Sequence, residues 1–178
     1  MEILKTKLND CLIIKPKIFG DERGFFIETY QHKRYFDDAG ISHSFVQDNH
    51  SRSSKGVLRG LHLQKTKPQG KLIRVVRGKV FDVAIDLRKN SSTYGQWESI
   101  ILSEENKTQF WVPPGFAHGF QVISDIADLE YKCTELYDPL DEICIAWDDN
   151  ELNIQWPINK PILSEKDSNG IKIRDFKK

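Results

Sequence analysis

The sequence has little cysteine and no net charge. Three cysteines, Cys11, Cys133 and Cys144, occur in 178 residues, and no two of them form a C-x-x-C pair. We therefore expect neither a disulfide framework nor a zinc ribbon, and we predict a reducing, cytoplasmic location. The 26 basic and 26 acidic residues cancel, so the composition indicates neither a nucleic-acid partner nor binding to a membrane surface.

Long apolar runs are also missing. The N-terminal stretch MEILKTKLND lacks the apolar centre of a signal peptide, and no segment approaches the ~18 apolar residues of a membrane span. No G-x-G-x-x-G follows a strand-like run, so nothing points to a nicotinamide cofactor. The length favours one domain, residues 1–178, with no membrane partner.

What the chain does contain is a series of short apolar or alternating runs broken by Gly, Pro, Asn and Asp. In KVFDVAIDL (79–87), Phe81 and Val83 share one face while Val80 and Asp82 share the other, which is the pattern of a strand. The glycine in VRGK (76–79) predicts a hairpin over 71–87. Together the runs predict an all-β sandwich or barrel of jelly-roll type. A short helix is predicted at 33–40, and an irregular tail from residue 155.

The histidines raise the question of a metal site. VPPGFAHGF (112–120) has the P-x-G-x-x-H order of the second cupin motif, ending at His118. Cupin metal sites also use an H-x-H pair, but the corresponding earlier strand has only His62, followed by Leu63 and Gln64. Because a tight site needs three or four ligands, we predict no bound metal.

His62 is then a candidate general base, since an imidazole with a pKa near ~6.5 can accept a proton at neutral pH. Arg59 and Lys71 are candidates for stabilising the charge that this step creates. Four carboxylates could orient the base, and the sequence does not choose among them: Asp82, Asp86, Glu130 and Asp167.

Two side chains next to these candidates carry structural expectations. Tyr131 shares a strand face with Leu129 and Cys133, so its hydroxyl is predicted to point inward. Arg59 and His62 would lie on opposite faces of a regular strand, because the side-chain period is two. Both can reach one pocket only if the strand is irregular between them, and Gly60 predicts a β-bulge there.

Eight motifs occur in order along the chain. They are DERGFFIE (21–28), VQDNHSRSSKGVLRGLHLQ (46–64), QGKLIRVVRGKVFDVAIDLRKNSSTYGQW (69–97), VPPGFAHGFQVIS (112–124), YKCTELYDP (131–139), WDD (147–149), WP (156–157) and LSEKD (163–167). Together they resemble the dTDP-4-dehydrorhamnose 3,5-epimerase family, cofactor-independent cupin-fold enzymes of rhamnose biosynthesis. The resemblance implies a cupin-type jelly-roll barrel, epimerisation at C3 and C5 of a dTDP-4-keto-6-deoxy sugar, and a homodimer.

The resemblance also implies roles for individual residues. His62 matches the general base, Asp167 the carboxylate behind it, and Tyr131 the acid on the opposite face of the sugar. Lys71 matches the lysine near the 4-keto oxygen, and the segment from Arg23 to Glu28 is expected to reach the neighbouring subunit's site. The implied substrate-binding residues are Arg23, Phe26, Glu28, Gln47, Asn49, Arg59, His118, Tyr137, Glu142 and Lys166.

Three other readings stay open at this stage. An epimerase of another deoxysugar pathway could invert C3 or C5 alone with the same His, Asp and Tyr. A non-catalytic sugar-binding cupin would lack part of this set. A metal-dependent cupin oxygenase would need a bound metal.

Overall fold

The computed structural model describes residues 1–176, and most of its regular structure is β-strand. The last two residues of the predicted domain, 177–178, lie outside the described part. The strands are β1 (Glu2–Lys5), β2 (Leu12–Lys15), β3 (Ile18–Asp21), β4 (Gly24–Ile27), β5 (Gln47–Ser54), β6 (Leu58–Gln64), β7 (Lys71–Arg77), β8 (Lys79–Asp86), β9 (Trp97–Ser103), β10 (Gln109–Val112), β11 (Phe116–Val122), β12 (Ile126–Cys133) and β13 (Glu142–Cys144).

The strands form two large antiparallel sheets that face each other. One has the order β1-β2-β10-β7-β12-β5, and the other β13-β6-β11-β8-β9. Ile73 and Phe110 of the first sheet pack in one core with Ala84, Leu102 and Phe116 of the second. The all-β, jelly-roll prediction is confirmed. The remaining strands, β3 and β4, pair only with each other and form a separate hairpin.

The predicted hairpin over 71–87 is wrong. Strand β7 pairs with β10 and β12 in one sheet, whereas β8 pairs with β11 and β9 in the other. Gly78 is a corner between the sheets, with φ of 75°. A Cβ there would lie 2.0 Å from the Ile126 carbonyl oxygen, so the backbones approach too closely for any other residue. Two alternating runs joined by a glycine look the same to sequence reasoning whether they pair or change sheets.

The C-terminal tail covers the outer face of the second sheet. The predicted alternation of β8 holds, with Val80 and Ala84 facing the core between the sheets. Val83 on the opposite face is also buried, in a cluster that includes Trp156 and Ile173 of the tail. Burial of both faces explains why this strand is apolar on both sides apart from its aspartates. The tail thereby returns to the sheet that carries His62.

Helices are few and short. The predicted helix is present as α1 (His32–Ala39), and Gly40 ends it in the left-handed conformation with φ of 68°. Two further helices, α2 (Glu165–Ser168) and α3 (Ile173–Phe176), lie within the tail that was predicted to be irregular. Within residues 1–176, none of the helices has the length and apolarity to cross a membrane.

Candidate active site

A cavity of about 540 Å³ opens between the two sheets and gathers most of the predicted site residues. Its walls come from both sheets and from the segment around α2. Of the fourteen predicted residues, eleven line it: Gln47, Asn49, Arg59, His62, Lys71, His118, Tyr131, Tyr137, Glu142, Lys166 and Asp167. The fold therefore brings together side chains that are up to 120 residues apart in sequence.

His62 and Asp167 form a tight pair on one wall of the cavity. The Nε2 of His62, on β6, lies 2.6 Å from Oδ1 of Asp167, on α2. Of the four carboxylates that the sequence left open, only Asp167 contacts this ring. A carboxylate in this position selects the tautomer of the imidazole and stabilises its protonated form.

Asp167 is itself held by other groups. Ser164 caps α2, accepting a hydrogen bond from the Asp167 amide and donating one of 2.7 Å to Oδ2. The Gly60 amide donates to Oδ1 at 3.3 Å. Burial alone would raise the pKa of Asp167, but the hydrogen bonds from His62, Ser164 and Gly60 lower it. Sequence reasoning missed Ser164, although Ser-x-x-Asp before a helix is a recognisable capping pattern.

The second nitrogen of His62 faces another carboxylate. Its Nδ1 lies 3.8 Å from Oε1 of Glu142. The other oxygen of Glu142 accepts hydrogen bonds from Lys166 at 2.5 Å and from the Tyr137 hydroxyl at 3.2 Å. Glu142 thus links His62 to two further side chains that line the cavity.

The predicted bulge at Gly60 is confirmed. His62 pairs with His118 and Arg59 pairs with Phe120, so three steps on β6 match two steps on β11. Gly60 has φ of 112°, and a Cβ there would lie 2.6 Å from the His118 carbonyl oxygen. The extra residue lets Arg59 and His62 both line the cavity despite their odd spacing.

Lys71 places an ammonium group inside the cavity. Lys71 is only 7% exposed, and burial lowers the pKa of its ammonium group. Within residues 1–176 its side chain makes no hydrogen bond or ion pair. A buried cation without a protein partner is costly to maintain, so this position is suited to a ligand that brings negative charge.

Tyr131 points inward as predicted, from the sheet opposite His62. It lies on β12, packs against the core between the sheets and lines the same cavity. Burial raises the pKa of its hydroxyl to about 12. The phenol therefore keeps its proton at neutral pH and can donate it.

The rim of the cavity is held by polar contacts between predicted binding residues. Gln47 donates to Asn49 at 3.0 Å and accepts from the Tyr137 amide at 2.9 Å. Arg59 is oriented by a 3.0 Å hydrogen bond from its Nε to Ser53. These contacts leave most of the guanidinium donors of Arg59 available to a ligand.

Three predicted residues lie away from the cavity of their own chain. Arg23 forms an ion pair with Asp21 on the β3–β4 hairpin, and Phe26 is 68% exposed. Glu28 pairs with Arg34 of α1 at 2.8 Å. One chain therefore does not bring these residues to the site.

Three residues of metal-ligating type meet at His62. Among residues 1–176, ligand atoms of His62, Cys144 and Asp167 lie within 4.8 Å of one another. Cys144 was not singled out from the sequence, and its place follows from its pairing with His62 across β6 and β13. Burial raises the pKa of Cys144 to about 12, so its sulfur is a poor ligand without deprotonation.

The fold and the cavity define the class of protein. A jelly-roll domain whose cavity gathers a His–Asp pair, a tyrosine and a lysine has the groups that an epimerase working by proton transfer needs. The family model described as dTDP-4-dehydrorhamnose 3,5-epimerase matches residues 5–175. The chain belongs to this family, and it is an isomerase.

Individual proteins of known name are similar to this chain in sequence and in structure. The dTDP-4-dehydrorhamnose 3,5-epimerase of Shigella flexneri is 53% identical over 98% of this chain and 97% of its own. The dTDP-6-deoxy-D-glucose-3,5-epimerase of Legionella pneumophila, solved with dTDP-4-keto-L-rhamnose, is similar with a TM-score of 0.95 and 53% identity, covering 97% of this chain and 93% of that one. A 3'-monoepimerase of Streptomyces bikiniensis, solved with dTDP-quinovose, is also similar, with a TM-score of 0.88 and 30% identity over 95% and 86% of the two chains.

Proposed function

We propose that this protein converts dTDP-4-dehydro-6-deoxy-D-glucose to dTDP-4-dehydro-L-rhamnose by inverting C3 and C5. The observation that carries the proposal is the 2.6 Å contact between His62 and Asp167 in a cavity that also holds Lys71 and Tyr131. The family and its relatives support the substrate.

Proton removal is assigned to His62. The ketone at C4 makes the protons on C3 and C5 acidic, because the resulting carbanion is delocalised onto the carbonyl oxygen. His62 takes the proton, and Asp167 stabilises the imidazolium that forms. Lys71 lies beside the keto oxygen and stabilises the enolate, since its charge acts inside a cavity of low dielectric.

Reprotonation is assigned to Tyr131. Inversion requires that the new proton arrive on the face opposite to the one from which it was removed. His62 and Tyr131 lie on different sheets, so they approach a sugar in the cavity from opposite sides. Neither proton removal nor reprotonation changes an oxidation state, so these steps need no redox cofactor.

Replacing Tyr131 with phenylalanine is expected to separate the two half-reactions. Proton removal continues, because His62, Asp167 and Lys71 are intact, whereas formation of the inverted product falls by about 10²-fold or more. Deuterium uptake and product formation, followed together by NMR, measure the two steps. The conservative control is Tyr94→Phe, outside the cavity; inverted product forming at the wild-type rate in the Tyr131 variant would count against the assignment.

The nucleotide is bound by the remaining polar side chains. Arg59 contacts the diphosphate, since a guanidinium matches phosphate oxygens in pairs, and His118 also contacts the nucleotide sugar. The other binding residues surround the sugar and the base from the rim: Gln47, Asn49, Tyr137, Glu142 and Lys166.

We further propose that the active unit is a homodimer in which the β3–β4 hairpin completes the partner's site. The hairpin exposes Phe19, Phe25 and Phe26, at 52%, 59% and 68%, and the rings of Phe19 and Phe26 contact each other, so the exposed apolar surface is grouped as at a protein–protein contact. Arg23 is at its turn, available to a ligand outside its own chain. A two-fold arrangement would place each hairpin over the other cavity.

Mixing two inactive variants tests the shared site. In the proposed dimer each site takes His62 from one subunit and Arg23 from the other. A dimer with one Arg23→Ala subunit and one His62→Ala subunit therefore has one site with both residues intact and one site with neither. Co-expression is expected to restore roughly a quarter of wild-type turnover, since about half of the dimers are mixed and each has one working site. The two variants purified separately and mixed without subunit exchange are the control. Failure of co-expression to restore any activity would show that each chain builds its site alone.

The activity is tested by turnover of dTDP-4-dehydro-6-deoxy-D-glucose in deuterated water, coupled to a 4-reductase. We expect the product sugar to be L-rhamnose, with deuterium at both C3 and C5. Deuterium at one carbon alone would support the single-site epimerase instead. The structural similarity to the Streptomyces bikiniensis 3'-monoepimerase is the reason to test for that outcome. Binding without any label uptake would favour a sugar-binding cupin.

Chelation is expected to leave turnover unchanged. The proton-transfer chemistry uses His62 as a base, and a metal on His62, Cys144 and Asp167 would occupy it. Dialysis against a chelator with turnover before and after, and elemental analysis of the purified protein, measure this. Stoichiometric metal together with loss of activity on chelation would revive the cupin oxygenase.

A further inference from the structure

The mechanism above makes no use of Asp82, although this is a costly residue to bury. It lies on β8 with 0% exposure. Its Oδ1 is 2.8 Å from Nε2 of His118, and its Oδ2 has no hydrogen-bond partner among residues 1–176. Buried carboxylate oxygens without a partner are uncommon in folded proteins, so this one calls for a physical reason.

The sheet places Asp82 in a row with the two histidines of the cavity. His118 on β11 pairs directly with His62 on β6, so both rings point to the same face. Asp82 lies diagonally across from His118 on β8, which pairs with the other edge of β11. Each histidine thus has its own buried aspartate at Nε2, at 2.6 Å and 2.8 Å.

The two pairs differ at the other ring nitrogen. Nδ1 of His62 faces Glu142 at 3.8 Å. Within residues 1–176, Nδ1 of His118 has no hydrogen-bond partner, and the residue lines the cavity. Nδ1 of His118 is therefore the atom that meets a ligand, and its state decides whether the ring donates or accepts.

We infer that Asp82 is a positioning residue that keeps one shared proton on the His118 pair, so that His118 presents Nδ1–H to an anionic oxygen of the bound nucleotide sugar. The ligand rests on the proposed function; the proton on the pair does not. With the proton shared, the pair is either imidazolium with carboxylate or imidazole with carboxylic acid. In both forms Nε2 and Oδ1 share one hydrogen, and Nδ1 carries another.

Loss of the shared proton would reverse this behaviour. A neutral ring donating from Nε2 to a carboxylate would turn a bare Nδ1 towards the ligand and repel its oxygen. Burial opposes that loss, because it would leave a net negative charge in the interior. Consistently, burial raises the pKa of Asp82, more than the charge and hydrogen bond of His118 lower it.

The surroundings of His118 favour an anion. The titratable and charged groups that line the cavity with it are His62 and Arg59 on β6, Lys71 on β7, Tyr131 on β12, Glu142 on β13, Tyr137, and Lys166 and Asp167 of α2. Glu142 and Asp167 are already bonded to Lys166 and His62. The oxygen that His118 meets therefore belongs to the diphosphate or to the sugar, and these two can be separated by experiment.

Histidine NMR tests the state of the ring without any substrate. In ¹⁵N-labelled wild type at neutral pH, Nδ1 of His118 is expected to carry hydrogen while Nε2 shares a second hydrogen with Asp82. In Asp82→Asn, which has no carboxylate, the ring is expected to lose its second hydrogen at a lower pH than in the wild type. His62, with its own aspartate, is the internal reference. A bare Nδ1 in the wild type at neutral pH, or the same titration in both proteins, overturns the inference. Because the wild type alone can give the first of these results, an unstable variant does not remove the test.

Ligand binding supplies the second measurement. Asp82→Asn is expected to weaken dTDP binding by about tenfold, with a larger loss at higher pH, if His118 meets the diphosphate. An unchanged dTDP affinity with a raised KM for the nucleotide sugar supports His118 meeting a sugar oxygen. Unchanged values of both overturn the inference.

Asp86→Asn is the matched control. Asp86 is a fully buried carboxylate on the same face of β8, but it bonds Arg88, Ser91 and Thr93 and lies outside the cavity. The affinity of the Asp86→Asn variant for dTDP is expected to stay within about twofold of the wild-type value. An equal loss in both variants would assign the effect to packing and overturn the inference. Absence of turnover in the wild type would contradict the proposed function and leave the NMR result on His118 standing.

Discussion

Replacement of His62 by alanine is expected to stop deuterium exchange at both C3 and C5 and to lower turnover by about 10²–10⁴-fold. His62 is the base for both carbons in the proposed mechanism. Without its imidazole, Asp167 has no base to orient or stabilise. The variant should still fold, because the His62 side chain faces the cavity and is 23% exposed. Deuterium uptake measured by proton NMR, beside dTDP affinity, separates lost chemistry from lost binding.

His43→Ala is the control for this experiment. His43 is an exposed histidine outside the cavity, in contact with Trp111, so its loss should leave exchange unchanged. Persisting exchange at either carbon in the His62 variant would remove this residue as the base for that carbon. Exchange at one carbon alone would mean that a different group serves the other.

Replacement of Lys71 by alanine is expected to slow proton removal by about 100-fold or more, by analogy with the loss of one oxyanion donor. The ammonium is buried and has no hydrogen bond or ion pair within residues 1–176, so its charge is directed at the ligand. The rate of deuterium uptake at saturating substrate is the measurement.

Lys71→Met separates charge from shape, since methionine fills similar space without a positive charge. We expect it to lose the same activity while the protein becomes equally or more stable to heat, because an unpaired buried charge has been removed. Lys132→Ala, on the exposed side of β12 and paired with Asp48, is the control. Near-normal exchange in both Lys71 variants would show that another group stabilises the enolate.

Local patterns predicted the parts of the fold that depend on neighbours in sequence. The strand alternation of β8, the helix that ends at Gly40 and the bulge at Gly60 all follow from residues within a few positions of one another. The hairpin over 71–87 failed for the opposite reason. Whether β7 pairs with β8 depends on which distant strands cover each of them, and the turn at Gly78 is compatible with either arrangement.

Roles could be predicted for individual site residues because eight motifs occur in the same order as in a known family. Residue chemistry alone nominated His62, Arg59, Lys71 and an inward Tyr131. It left four carboxylates as equal candidates for orienting the base. It also gave no signal for Cys144, which reaches the site only through the pairing of β13 with β6.

The sequence by itself determined the fold class, the alternation of β8, the inward face of β12 and the residue types available for proton transfer. The tertiary structure decided which partners meet. Asp167 reaches His62 because α2 of the tail packs against β6, whereas Asp82 meets His118 because β8 lies next to β11. Strand periodicity is a property of the backbone, so it can be read locally. Contacts between residues 105 positions apart depend on how the sheets bury their apolar faces, and that is settled by the whole chain at once.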